Sequence, residues 1–509
     1  MSVFRMTNRR WLAVWTAIGV TIAWHCWSAS FNHDEIEHLH AAWLISIGQL
    51  PFRDFLEQHH PTLWFLAAPL VGGFESVRSL VFAARLFNAV SLVALLWLVK
   101  RILRRLYPDV QWQFPVLLLL ASFMFVRSSI EFRPDPAMNV ALYAGLLNWV
   151  AFLQEGRMRR ALAAGICFGV AIVVLQKAAV IVALIAITAP ILMLGRLKRR
   201  ERIARLALAA ATSIAASSVL VGILFGAMQA LGIFQDFWFW NYPFNRFFYM
   251  QAHLPQHFSL PRTIGRSFLV DPALWLAGAG GAWLCLTELL AAWPFAARDE
   301  CRFTLLTACL GYLGFLCFNR FPLDQYLIVV LPLLALFGAE FLQQAANRAR
   351  LLLERSILAM PLVLLLLLLV YPKNAEQLRV QGFVLRQTSL DQPVFVPPAF
   401  NPVFRRDGAY FWYNGELISG AYQQYCRWDR ECQNDKLALD DNRWASSPPT
   451  LVFLEAPPDY PYRWSFRSSS YHPSHLPGLW EREDSSWGSQ TASRAASSEP
   501  IAAGARPLP

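Results

Sequence analysis

Between positions 32 and 61 the chain reads NHDEIEHLHAAWLISIGQLPFRDFLEQHHP, a run crowded with carboxylates and imidazoles that follows the first long apolar stretch. Carboxylates take up protons or bind hard cations, and imidazoles titrate near neutrality, so these residues suit acid–base or metal chemistry. Ionisable groups at the mouth of a membrane span are costly to desolvate and mark a functional site by default. We read the run as the catalytic loop of a membrane enzyme. Ile36, Leu39, Trp43 and Ile47 recur at helical spacing, which predicts an amphipathic helix lying in the interface. On it Asp34 and His38 share a flank, whereas Asp34 and Glu35 diverge by about 100 degrees, so only one of the two acids faces a given site. Asp34 is the choice. The plainer alternative is a solvated acidic helix start favoured by the helix dipole.

A second acid, Asp135, stands in the string Arg133-Pro134-Asp135-Pro136. The two prolines suit a helix start and point the Asp135 carboxylate outward at the membrane edge. Two carboxylates on different loops can share a hard divalent cation or divide acid and base roles. An N-terminal cap or a pair with Arg133 is the bland reading of the same residue.

The elements that must position these groups follow from composition. The chain has 509 residues, 56% hydrophobic, 14% aromatic and 16% charged. That exceeds what a soluble core absorbs, and repeated runs of about 20 apolar residues read as transmembrane helices. Spans are predicted at 11–29, 80–99, 110–126, 136–154, 161–176, 178–194, 203–231, 271–293, 303–318, 326–343 and 356–371, which makes about 11. The shorter run 63–74 lies along the surface. The formal charge of +11 resides in Lys and Arg clusters between the apolar runs. The positive-inside rule accounts for them, which excludes nucleic acid as a partner and sets the N-terminus in the cytoplasm. The loops 30–79 and 232–270 then fall outside, with Arg127 to Asp135 and Asn319 to Gln325. The 232–270 loop, rich in aromatics, predicts interfacial helices at the headgroup level.

The fold class is an all-α polytopic membrane protein with a small mixed α/β extracytoplasmic domain. Residues 1–371 form the membrane domain. After residue 372 the composition turns to Pro, Ser, Tyr, Trp and charge with short strand-like pieces, giving the outer domain at 372–484. Residues 485–509, rich in Ser, Ala and Pro, read as a disordered tail. Of eight cysteines only Cys426 and Cys432 lie in the outer domain, where an oxidising compartment permits a disulfide.

The strings HDEIEH, PFRDF, HHPTLWF, FRPDPAMN, LQKAAVIV and FPLDQYLIVVLPLLAL, in this order over 29–343, resemble the polyprenyl-phosphate-sugar-dependent membrane glycosyltransferases of the GT-C fold. These include the protein O-mannosyltransferases and the aminoarabinose-lipid A transferases. The resemblance implies an inverting transfer of sugar from a polyprenyl-phosphate donor to a lipid, glycan or protein acceptor on the outer face of the plasma (inner) membrane. It assigns catalysis to Asp34, with Glu35 beside it, and to Asp135; Asp34 acts as general base or, with Asp135, as ligand to a divalent metal ion. The leaving phosphate needs cations aimed at it, the largest catalytic contribution of such a site. For donor-phosphate binding the resemblance and the flanking residues offer His59, His60, Arg133, Lys177, Arg246 and Tyr326. The basic residue before the proline is Lys in the lipid A enzymes, and this chain has His60. A transporter or lipid flippase is the alternative, but its ionisable groups belong at midplane on interrupted helices of repeated halves.

Overall fold

Apolar runs become helices because main-chain polar groups inside a bilayer must be satisfied within their own segment. The computed structural model describes residues 8–194, 200–253, 259–292, 295–319, 322–412 and 415–429, with short pieces between 432 and 482. The tail expected at 485–509 lies outside the described residues.

The chain opens with α1 (Asn8–Ser28), followed by α2 (His33–Ser46), α3 (Thr62–Val71), α4 (Val77–Leu106), α5 (Gln113–Ala121) and α6 (Phe123–Ile130). Next come α7 (Pro134–Glu155), α8 (Met158–Val174), α9 (Ala178–Leu194) and α10 (Arg200–Ala230). The aromatic loop folds as α11 (Phe234–Phe239), a π-helical turn (Trp240–Phe244), α12 (Asn245–Met250) and α13 (Leu260–Val270). Then α14 (Pro272–Ala291), α15 (Ala297–Leu316), a 3-10 turn (Asp324–Val329) and α16 (Leu331–Val370) complete the bundle.

Among the described residues, α4, α7, α10 and α14 are long and apolar enough to cross a membrane, and α5 and α6 form a broken pair bent by 78°. The chain is a multi-pass membrane protein. The span expected at 110–126 is therefore two short helices meeting at Ser122. Ser122 accepts from the Phe125 amide (3.1 Å) and donates its hydroxyl to Asp271 (2.6 Å), which also accepts from the Phe123 amide (3.0 Å). Those bonds satisfy groups the bend removes from the helical ladder. The spans expected at 326–343 and 356–371 fall within one element, α16. Gln325 beside its start reaches Asp34, and Tyr371 at its end lies 5.2 Å from Arg127, in the segment leading to Arg133.

Helices α8 and α10 approach so closely that a Cβ on Gly165 would lie 2.4 Å from the Ser213 carbonyl. Ser213 and Ser217 seal the contact by donating to the carbonyls of Ala161 (2.7 Å) and Gly165 (2.8 Å). Small residues with hydroxyl bonds are the usual means of joining helices in lipid.

The aromatic loop is helical, as expected, but Phe237, Trp240 and Phe244 are fully buried rather than set as a belt. They form a second core with α2, α3 and the segment after α16. That segment contributes α17 (Ala375–Gln387), α18 (Gly415–Trp428) and four short strands: β1 (Val394–Phe395), β2 (Leu451–Phe453), β3 (Tyr471–Pro473) and β4 (Leu479–Arg482). The sheet order is β1-β2-β4-β3, with β1 parallel to β2 and the other pairs antiparallel. Cys426 and Cys432 form a disulfide at the end of α18.

The same segment is fastened to the first loop. His40 donates from Nδ1 to the Val403 carbonyl (2.6 Å) and meets the Asp407 carboxylate through Nε2 (2.6 Å). The Tyr410 hydroxyl donates to the Phe52 carbonyl (2.5 Å), and the Leu56 amide donates to the Tyr410 carbonyl (3.0 Å). Phe52 and Val403 adopt φ of +69° and +66°, a left-handed conformation that L side chains resist and that surrounding contacts must enforce.

Candidate active site

Asn32 caps α2 by accepting from the Asp34 amide (3.0 Å), which turns the first helical residues toward α7. There Asp34 forms an ion pair with Arg133, the residue preceding α7, and is also approached by His33 (2.9 Å) and Gln325 (3.5 Å). Arg133 additionally lies 3.5 Å from Glu131, which anchors Asn32 (3.1 Å). Pro134 opens α7 as its first residue, so Asp135 sits in the first turn, paired with Lys177 from the α8–α9 connection. The Lys177 ammonium stands 4.5 Å over the ring of Tyr326, whose hydroxyl is hydrogen-bonded to Tyr249 of α12. Two acids from distant parts of the chain thus share one cluster, each with its own cation.

Glu35 points elsewhere. Arg85 of α4 grips its carboxylate at 2.9 and 2.7 Å and donates to the carbonyls of Cys26, Ala29 and Ser30, while the Phe132 amide adds a bond of 3.1 Å. The pair is fully enclosed, which makes Glu35 the anchor of α2 to α1, α4 and the 127–133 segment. The 100° turn between neighbouring helical residues separates it from Asp34, as the spacing predicts, and its contacts with Arg85 do not serve the catalytic role expected of Glu35.

His60 is likewise committed to structure. It donates from Nδ1 to the Ile172 carbonyl (2.8 Å), and Nε2 accepts from the Tyr242 hydroxyl (3.1 Å). Burial holds its imidazole down to about 4, so the ring is neutral and has no free nitrogen to offer a phosphate. Arg246 is exposed on α12 and makes no hydrogen bond or ion pair with Asp34 or Asp135 among the described residues.

His59 lies beside a group that sequence reasoning passed over. Ligand atoms of Glu37, His38 and Glu57 fall within 4.8 Å of one another, all buried, and His59 Nδ1 is 3.9 Å from Glu57. Burial pushes the Glu57 carboxyl up and the His38 imidazolium down. The signal was present: positions 34, 37 and 38 share a helix face. Tyr249 and Gln325 carried no such signal.

A divalent ion between Asp34 and Asp135 would have to displace Arg133 and Lys177, so those two acids do not fit the metal expected there.

Comparison with known proteins bears on the fold and the family. A sequence model of the family "Dolichyl-phosphate-mannose-protein mannosyltransferase" matches residues 59–221. Among solved structures, ArnT from Cupriavidus metallidurans bound to undecaprenyl phosphate is similar with a TM-score of 0.61 at 13% identity, covering 88% of this chain and 93% of that one. The same protein in the apo state gives 0.56 at 14% identity, over 87% and 92%. No curated protein sequence matches the chain. The resemblance to the GT-C glycosyltransferases holds in fold.

Proposed function

We propose that the chain is an inverting glycosyltransferase that moves a sugar from a polyprenyl-phosphate donor to a hydroxyl acceptor on the outer face of the membrane. The observation that carries the reading is the paired arrangement Asp34–Arg133 and Asp135–Lys177 beside Tyr326 and Tyr249. The undecaprenyl phosphate held by the similar ArnT structure supports a lipid phosphate as ligand here.

In this reading Asp34 removes the proton of the acceptor hydroxyl, whose oxygen attacks the anomeric carbon from the face opposite the phosphate. The carbon–oxygen bond to phosphate breaks and the polyprenyl phosphate leaves with the electron pair. Its growing charge is met by Arg133 and Lys177, fixed in a partly dry site where such cations are worth most. Protonation of Asp34 weakens its hold on Arg133 at the moment the phosphate needs that cation. Base and leaving-group stabiliser are thereby coupled through one guanidinium. Asp135 keeps Lys177 aimed by the same logic.

The test is transfer of labelled sugar from polyprenyl-phosphate donors by the full chain in detergent, with the product anomer read by NMR. Inverted product that disappears with Asp34→Asn is expected. Retention of configuration, or full activity in Asp34→Asn, would overturn the reading.

A further inference from the structure

Helix α4 has 30 residues and extends about 45 Å, whereas a hydrocarbon core is about 30 Å thick. One end of it therefore stands among headgroups. Leu86, Val90, Val93 and Trp97 are spaced by three and four residues and exposed along one face of α4. Lys100, Arg101 and Arg104 continue that face. Its apolar part, from Leu86 to Trp97, is about 16 Å long, close to half a hydrocarbon core and so to the depth of one leaflet's acyl chains. The three cations then fall at phosphate level.

Arg105 lies off this face and is committed to α7, pairing with Glu155 (2.9 Å) and donating to Gln154 (3.1 Å). The other three differ. No carboxylate among the described residues, Asp109 of the following loop included, pairs with Lys100, Arg101 or Arg104, and Lys100 lies in the field of both arginines. Like charges gathered without an acid repel, and a bound anion relieves that repulsion. Aromatic rings also hold them in place. Lys100 stands 3.9 Å over the ring of Trp112, which stacks on Trp15 of α1 with centroids 6.5 Å apart, and Arg101 stands 5.6 Å over Trp97. A cation resting on an indole keeps N–H donors for a further ligand and loses little motion on binding it.

We propose that this face of α4 binds one anionic phospholipid, its phosphate among Lys100, Arg101 and Arg104 and an acyl chain along Val93, Val90 and Leu86. The leaflet is the cytoplasmic one by the positive-inside rule, and basic sites between helices on that side take anionic headgroups. Lys100 is about 22 Å along α4 from Arg85, the partner of Glu35. The lipid's place is thus remote from Asp34, and its binding does not depend on the sugar-transfer reading.

The test uses the full chain in detergent, titrated with dioleoyl phosphatidylglycerol or dioleoyl phosphatidylcholine and read by native mass spectrometry and by Tm. One phosphatidylglycerol per chain should be retained with about tenfold or greater preference over phosphatidylcholine, and it should raise the Tm. Arg101→Gln with Arg104→Gln should remove most of that preference, whereas Arg101→Lys with Arg104→Lys should keep most of it. Arg159→Gln with Arg202→Gln takes two exposed cations from the same end of the bundle and should leave the preference as in the wild type. Trp97→Leu keeps every charge and should weaken retention by about 2–5-fold, a second reading should the Gln pair unfold. Sugar transfer should persist in all of these variants. Equal retention of the two lipids by the wild type, displacement of phosphatidylglycerol by inorganic phosphate, or an unaltered preference in the Arg101→Gln, Arg104→Gln protein overturns the proposal.

Discussion

Arg133, the residue before α7, closes on the carboxylate of Asp34, the second residue of α2, and so draws together two loops separated by 99 positions. The contact sets the charge of the candidate site. Neither acid is left as an isolated anion, and an anion arriving there would meet cations already in position.

Replacement of either member should therefore abolish transfer by different routes. Asp34→Asn removes the base and should lower turnover by about 10²–10⁴-fold. Arg133→Lys keeps the charge but loses the planar fork, so it should restore little of the activity that Arg133→Ala loses. Initial rates of sugar transfer check both.

Glu35 should behave as a stability residue. Glu35→Ala leaves Arg85 charged and enclosed, which should cost about 3–5 kcal/mol. Thermal unfolding should show the loss, and the double change Glu35→Leu with Arg85→Met should recover much of it. A Glu35→Ala protein as stable as the wild type would contradict the anchoring role.

The His60 contacts carry a pH dependence. The folded protein holds this imidazole down to about 4, below its ordinary value, so between about 6.5 and 4 the unfolded chain binds more protons than the folded one. Stability is then complete above that window and falls as pH drops through it. Wild-type Tm should decline from pH 7.5 to pH 5 more steeply than that of His60→Gln. Parallel declines would show that the ring is not buried neutral. Donor affinity should respond to Lys177→Met more than to His60→Gln.

The clamp between the first loop and the segment after α16 should be visible as amide protection. Asp407→Ala strips His40 of its carboxylate, and exchange should quicken at Leu56 and over 401–412, with the α7–α8 pair unaffected. Hydrogen exchange by mass spectrometry reads this directly.

Much of this architecture was legible beforehand because apolar length and arginine punctuation report membrane helices residue by residue. Asp34 and Asp135 were singled out as acids at span ends, Asp135 between two prolines, and the structure places each beside a cation. What escaped was set by partners far along the chain. Arg85 sits in an apolar run with no sign that it is destined for Glu35. The imidazole of His60 is enclosed and occupied by a carbonyl at position 172 and a hydroxyl at 242. The break at Ser122 has no glycine or proline to announce it and is made possible by Asp271, 149 residues later. The folding of α16 into one element is equally invisible in a sequence with a basic stretch at its middle.

Phe52 and Val403, with their unfavourable backbone angles, each offer a carbonyl to a side chain from the other segment, Tyr410 in one direction and His40 in the other. Neither half of the gene encodes the shape of the acidic loop by itself. A chimera that kept the membrane bundle and exchanged its tail would inherit the reactive groups without the frame that aims them, so swaps between relatives should succeed only when both pieces travel as a unit.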